Sequence, residues 1–184
     1  MSSVADIDAR DTTSGETLIT PGVSHAPLVV MGVSGVGKTT IAQLVGERVN
    51  MPFIDADDLH GEANVAKMRA GIPLTDEDRM PWLRRVGEAL SQHPSPVIAC
   101  SALKRVYREV LRKHAPDVRF VMLTADVDRL TSHVANREDH FMPAALLQSQ
   151  LDLLEPLAAD EPGVVITVDA GPDVLADRVL TQLG

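Results

Sequence analysis

Eight consecutive residues, Gly32-Val33-Ser34-Gly35-Val36-Gly37-Lys38-Thr39, meet every specified position of the phosphate-cradling pattern Gly-x4-Gly-Lys-Ser/Thr. Glycine opens backbone angles closed to other residues, so the N–H groups of a segment such as Gly32, Ser34, Gly35, Val36 and Gly37 can converge on phosphate oxygens. A helix starting at the end of the loop adds its partial positive charge, and Thr40 lies in its first turn. Lys38 is placed to reach the outer phosphates as a compact cation, and the Thr39 hydroxyl is the expected magnesium ligand. The implied chemistry is the handling of a magnesium nucleoside triphosphate. A plain glycine turn is the blander reading, and the flanks argue against it: an apolar run, Pro27 to Met31, precedes the loop, and Ile41, Leu44, Val45 and Val49 share one helical face after it.

A second group of reactive side chains follows Pro52-Phe53-Ile54. In an extended chain Asp55 and Asp57 point the same way, so one carboxylate can orient magnesium-bound water while the other accepts a proton from a substrate hydroxyl. Either Asp55 or Asp57 can take either part; Asp58 fits a solvated cap. Ser101 ends the run Pro96-Val97-Ile98-Ala99-Cys100, where a small polar residue can approach phosphates or metal-bound water. Lys67, Arg69, Arg79, Lys104 and Arg108 are the cations available to an anionic acceptor, Lys104 and Arg108 lying four apart on one expected helix. Arg137, in the polar break Arg137-Glu138-Asp139-His140-Phe141-Met142-Pro143, is the residue type that neutralises a transferring phosphoryl group from a mobile lid, here residues 136–143. Cys100 reads as an inert buried thiol and Trp82, sharing a face with Leu83, Val86 and Leu90, as core.

The elements that must position these groups follow from periodicity. Five apolar runs, near 28–31, 52–55, 96–101, 118–123 and 163–169, alternate with helical patterns near 39–49, 64–74, 75–90, 102–112, 127–135, 146–157 and 172–183. Parallel strands need crossover connections, and right-handed crossovers bring the strand ends and their loops to one edge. An α/β three-layer fold with a five-stranded parallel sheet flanked by helices is therefore expected.

A chain of 184 residues suits one well-buried domain, here 27–184, and its hydrophobic content of 45% with only 3% aromatic residues implies an aliphatic core. Residues 1–26, rich in Ser, Thr, Asp and Gly without an apolar face, read as a disordered tail. A net charge of −9 argues against nucleic acid as a partner. No stretch has membrane-spanning length, and the single cysteine suits a reducing cytoplasm.

With those residues on the page, the chain resembles the small gluconate kinases of the P-loop kinase superfamily. The resemblance runs from about Leu28 to the C-terminus. It rests on Met31 to Thr39, Asp55-x-Asp57-x-x-His60, Lys67-Met68 with Gly71-x-Pro73-Leu74-x-Asp76-x-Asp78-Arg79-x-Pro81-Trp82-Leu83, Cys100-Ser101-Ala102-Leu103-Lys104-x-x-Tyr107-Arg108 and Arg137-x-x-His140-Phe141. It implies strand order 2-3-1-4-5, transfer of the ATP γ-phosphate to the 6-hydroxyl of D-gluconate with Mg2+, and a homodimer. It further implies Lys38, Asp57 and Arg137 as catalytic, and His60, Lys67, Arg79, Lys104, Arg108 and His140 as candidates around gluconate. The adenine contact is expected near Asp169 to Pro172. The family's lid usually reads Arg-x-Gly-His-Phe; Asp139 replaces that glycine. A shikimate-type kinase shares the pattern Phe53-Ile54-Asp55-Ala56-Asp57 but not the Pro-Trp-Leu and Cys-Ser-Ala-Leu-Lys blocks. A nucleotide-binding regulator with a silent acceptor site is disfavoured by the intact Asp57 and Arg137.

Overall fold

In a computed structural model, which describes residues 26–127, 130 and 144–184, five strands form one all-parallel sheet in the order 2-3-1-4-5. The strands are β1 (Leu28–Met31), β2 (Phe53–Asp55), β3 (Val97–Ala99), β4 (Arg119–Thr124) and β5 (Gly163–Thr167). The order expected from the resemblance is the one observed. Ala26, grouped with the tail by composition, is already buried; the rest of the tail, and the lid with Arg137 and His140, lie outside the described residues.

β1 is apolar on both faces because it is the central strand, paired with β3 on one side and β4 on the other, and all four of its residues are buried. Among the described residues, helices α1 (Lys38–Val49), α2 (Glu62–Arg69), α3 (Asp76–Gln92), α4 (Arg105–His114) and α5 (Ala144–Leu153) lie on the crossovers between strands, and α6 (Pro172–Leu183) follows β5. α1 packs on α6, burying Ile41, Ala42 and Val45 of one and Leu175, Ala176 and Val179 of the other. α3 packs on α4, with Trp82, Leu83, Val86 and Leu90 of one and Tyr107 and Leu111 of the other buried. Each such apolar side chain contributes about 1.5–3 kcal/mol relative to exposure. The two helices approach closely at Gly87, where an added Cβ would lie 2.5 Å from the His114 ring.

Local signals set the element ends. Thr75 accepts from the Asp78 amide while the Asp78 carboxylate accepts from the Thr75 amide, a reciprocal cap that starts α3 five residues before Pro81, so the proline sits inside the helix. α4 begins at Arg105 rather than at Ala102 as periodicity implies. Ala102 takes a left-handed φ of 41° and Lys104 an extended conformation, which keeps the chain out of the helix until Arg105.

Because every strand runs the same way, the loops after β1, β2 and β3 leave the sheet at one edge. Val30 pairs with Ala99 and Ala99 with Asp55, so the carboxylate stands on the rung of Val30, two strand spacings or about 10 Å away across β3.

Candidate active site

The loop Gly32 to Gly37 joins β1 to α1. Gly32, Gly35 and Gly37 have φ of 138°, 79° and 103°, values that L side chains rarely adopt. At Gly32 a second constraint applies, since an added Cβ would lie 2.7 Å from the carbonyl oxygen of Leu123 on β4. The Gly32 amide donates to the Ser101 carbonyl at 3.3 Å, tying the loop to the end of β3. Lys38 folds back so that its Nζ donates to the Val33 carbonyl at 3.1 Å, straddling the loop it serves.

The acidic edge meets the loop through one hydrogen bond. Thr39 Oγ1 donates to Asp55 Oδ2 at 2.9 Å, and Asp55 Oδ1 accepts from the Asp57 amide at 3.0 Å. Asp55 therefore caps a 3-10 turn, Ala56–Leu59. That turn corrects the alternation argument, because the chain stops being extended at Ala56 and the side chains of Asp55 and Asp57 are no longer related by a strand's period of two. Asp55 is drawn to the loop, whereas the Asp57 side chain is 81% exposed.

The two oxygen donors at Thr39 and Asp55 fit a small hard cation that keeps several waters and takes its remaining ligands from phosphates. No group of three or more His, Cys, Asp or Glu suited to a metal occurs among the described residues, so an all-protein cage is not built there. Beside the loop a cavity of about 310 Å³ is lined by Gly35, Gly37, Thr40, Val168, Gly171 and Pro172, among others. It joins the glycine loop to the segment after β5 where an adenine contact is expected. Cys100 is fully buried at the end of β3, and burial pushes its thiol up to about 12, which leaves it unreactive.

The candidate acceptor cations fall into two sets. Lys67, Arg79 and Lys104 gather around the start of α3. Lys67 Nζ donates to both Asp78 oxygens at 2.7 and 2.8 Å, and Lys104 Nζ to both Asp76 oxygens at 2.9 Å. Tyr107 also donates its hydroxyl to Asp76, and that bond together with Lys104 holds the Asp76 carboxyl below the usual carboxylate range. Arg79 is buried, donating to the Leu74 carbonyl at 2.6 Å and to the Tyr107 hydroxyl at 3.4 Å.

Arg108 is different. It is fully buried and donates to both Glu161 oxygens at 2.6 and 2.8 Å, and to the carbonyls of Ala102, Leu103, Glu155 and Pro156. Every guanidinium N–H is used inside the fold, so Arg108 is withdrawn from the substrate candidates. Its anion is Glu161, 53 residues away, which helical spacing alone does not reveal.

His60 stacks on Trp82 with ring centroids 4.3 Å apart, and Trp82 Nε1 donates to the Ala56 carbonyl at 2.7 Å. Trp82 is core, as its helical face implies, and it also supports the turn carrying Asp57. Burial, then the charges of Arg85 and Arg79, lower His60 to about 4. Gln150 on α5 was not singled out by its sequence context, yet its Oε1 accepts from the Ser34 amide at 2.7 Å across 116 residues.

A family model described as shikimate kinase matches residues 34–162. The thermosensitive gluconokinase of Escherichia coli is 44% identical over 150 residues, covering 79% of this chain and 80% of that one. Among solved structures, a sugar kinase from Janibacter sp. HTCC2649 is 48% identical with a TM-score of 0.83, covering 87% of this chain and 95% of that one. A gluconokinase from Sinorhizobium meliloti is 41% identical with a TM-score of 0.81, over 86% and 91% of the two chains. With these likenesses spanning the phosphate loop, the acidic turn and the sheet that aligns them, the chain belongs to the gluconokinase family of the shikimate-kinase-like P-loop kinases.

Proposed function

We propose that this protein is a gluconokinase: it transfers the γ-phosphate of ATP to the 6-hydroxyl of D-gluconate, giving 6-phospho-D-gluconate and ADP. The observation that carries the reading is the hydrogen bond from Thr39 to Asp55, which fastens the phosphate cradle to the acidic turn that presents Asp57. The loop amides and Lys38 hold the β and γ phosphates, and the cavity beside Pro172 receives the base. Mg2+ held by Thr39 and Asp55, with Ser101 near its waters, would neutralise phosphate charge. Asp57 accepts the proton of the attacking hydroxyl and aims its oxygen in line with the phosphorus. Lys67, Arg79 and Lys104 supply the cationic wall for the acid, with Arg137 and His140 acting from the lid. The cytoplasmic setting and the homodimer implied by the family belong to the same proposal; light scattering on the purified protein tests the latter.

The test is ADP release coupled to a reporter, with MgATP and either D-gluconate or shikimate. Gluconate-dependent release is expected, with kcat lowered about 10²–10⁴-fold in Asp57→Asn at little cost in nucleotide affinity. Release driven by shikimate, or nucleotide binding with no gluconate-dependent release, overturns the reading.

A further inference from the structure

His60 stands as a gluconate candidate by resemblance, but its surroundings assign it another task. Asn64, itself buried, donates through Nδ2 to the Asp78 carbonyl at 2.9 Å, which fixes that atom as the amide nitrogen. The same Nδ2 lies 3.4 Å from His60 Nδ1. Two donors do not face each other at that separation, so Nδ1 carries the lone pair and the ring proton sits on Nε2. Nε2 lies 3.9 Å from Asp57 Oδ1. The ring is stacked against Trp82 and its side chain is only 4% exposed, whereas the Asp57 side chain is exposed.

We propose that His60 is a positioning residue for the phosphoryl acceptor step: held neutral by Asn64 and Trp82, it donates Nε2–H to one oxygen of Asp57 and so turns the other toward the substrate hydroxyl. That donation requires the 3.9 Å separation to shorten to hydrogen-bonding distance. His60 never takes the substrate proton. That proton passes to Asp57, and the imidazole keeps its own. The cations near the ring, Arg85 and Arg79, face it from α3 and act in the same sense, since both oppose a second proton. This inference rests on Asp57 being the base.

Two measurements test it. Nitrogen-15 NMR of the histidine-labelled full chain near pH 7 should show His60 as the neutral Nε2–H tautomer; an Nδ1–H or doubly protonated ring overturns the proposal. In steady-state assays, His60→Leu should lower kcat about 10–100-fold, less than loss of the base itself, with KM for MgATP unchanged. His60→Gln, which keeps a donor, should recover part of that loss, and in an Asp57→Asn background His60→Leu should cost nothing further. If Asp57→Asn leaves kcat intact, the base assignment fails. If Asp57→Asn lowers kcat but His60→Leu does not, or its cost persists undiminished without Asp57, only the role given to His60 fails. Should His60→Leu fail to fold, the tautomer and the His60→Gln kinetics still decide.

Discussion

Replacing Arg108 by Met separates scaffold from substrate contact. The methionine keeps the apolar stem but removes the charge, leaving Glu161 at 1% side-chain exposure with only the Ala158 amide at 2.9 Å. Breaking one side of such a buried pair costs about 3–5 kcal/mol, because the stranded carboxylate has lost both water and its cation. The carbonyls of Ala102, Leu103, Glu155 and Pro156 lose donors as well. At roughly 2–4 °C per kcal/mol for a chain of this size, the midpoint should fall by about 6–20 °C in a thermal melt followed by circular dichroism. Replacing both partners, Arg108→Met with Glu161→Met, should recover most of that loss, since neither charge is then buried alone. Acid sensitivity gives an independent readout. Burial pushes the Glu161 carboxyl up, but the bonds from Arg108 and the Ala158 amide outweigh it and hold the group below its usual value of 4.5. A depressed carboxylate stabilises the fold above its unfolded pKa, and that stability is lost as the pH falls through the folded one. The double variant should lose this part of the acid slope. An unchanged melting point for Arg108→Met, with KM for gluconate raised tenfold or more, refutes the structural role and returns Arg108 to the substrate.

The His60 ring, lowered from 6.5 to about 4, gives stability a pH dependence of its own. Between those values the unfolded ring binds a proton that the folded ring refuses, so stability is full above 6.5 and declines by up to about 3 kcal/mol as the pH falls toward 4. Chemical denaturation at pH 7.5 and pH 4.5 should show that decline in the wild type and not in His60→Gln; equal slopes for the two proteins contradict it. Gly32→Ala should weaken MgATP binding at least tenfold by calorimetry and also lower the melting point, because its Cβ meets the Leu123 carbonyl at 2.7 Å. Gly37→Ala has open space around its Cβ and should carry only the cost of a left-handed φ, about 1–2 kcal/mol. Comparable losses for the two substitutions would remove close packing at Gly32 as the cause.

Much of this protein is legible from residue order alone, because the decisive information is local. Gly32 to Thr39 specify a loop by their own backbone freedom, and the runs at 28–31, 97–99 and 119–124 specify buried strands by composition. Parallel pairing and right-handed crossovers then carry Asp55 and Ser101 to the edge where the loop opens. The C-terminal helix, Pro172 to Leu183, begins and ends where proline and the apolar period put it. What residue order leaves open is which partner each polar side chain finds across the sheet. Arg108 and Lys104 look alike as cations four apart, yet one is sealed against Glu161 and the other grips the half-exposed Asp76. Asp55 and Asp57 look like a matched pair until the 3-10 turn at Ala56 sends one to Thr39 and leaves the other at the surface. Those outcomes depend on desolvation and on distances between residues 16 to 116 positions apart, quantities that exist only once the chain has packed, and so the tertiary structure alone decided which charges are sealed into the scaffold and which stay near the surface.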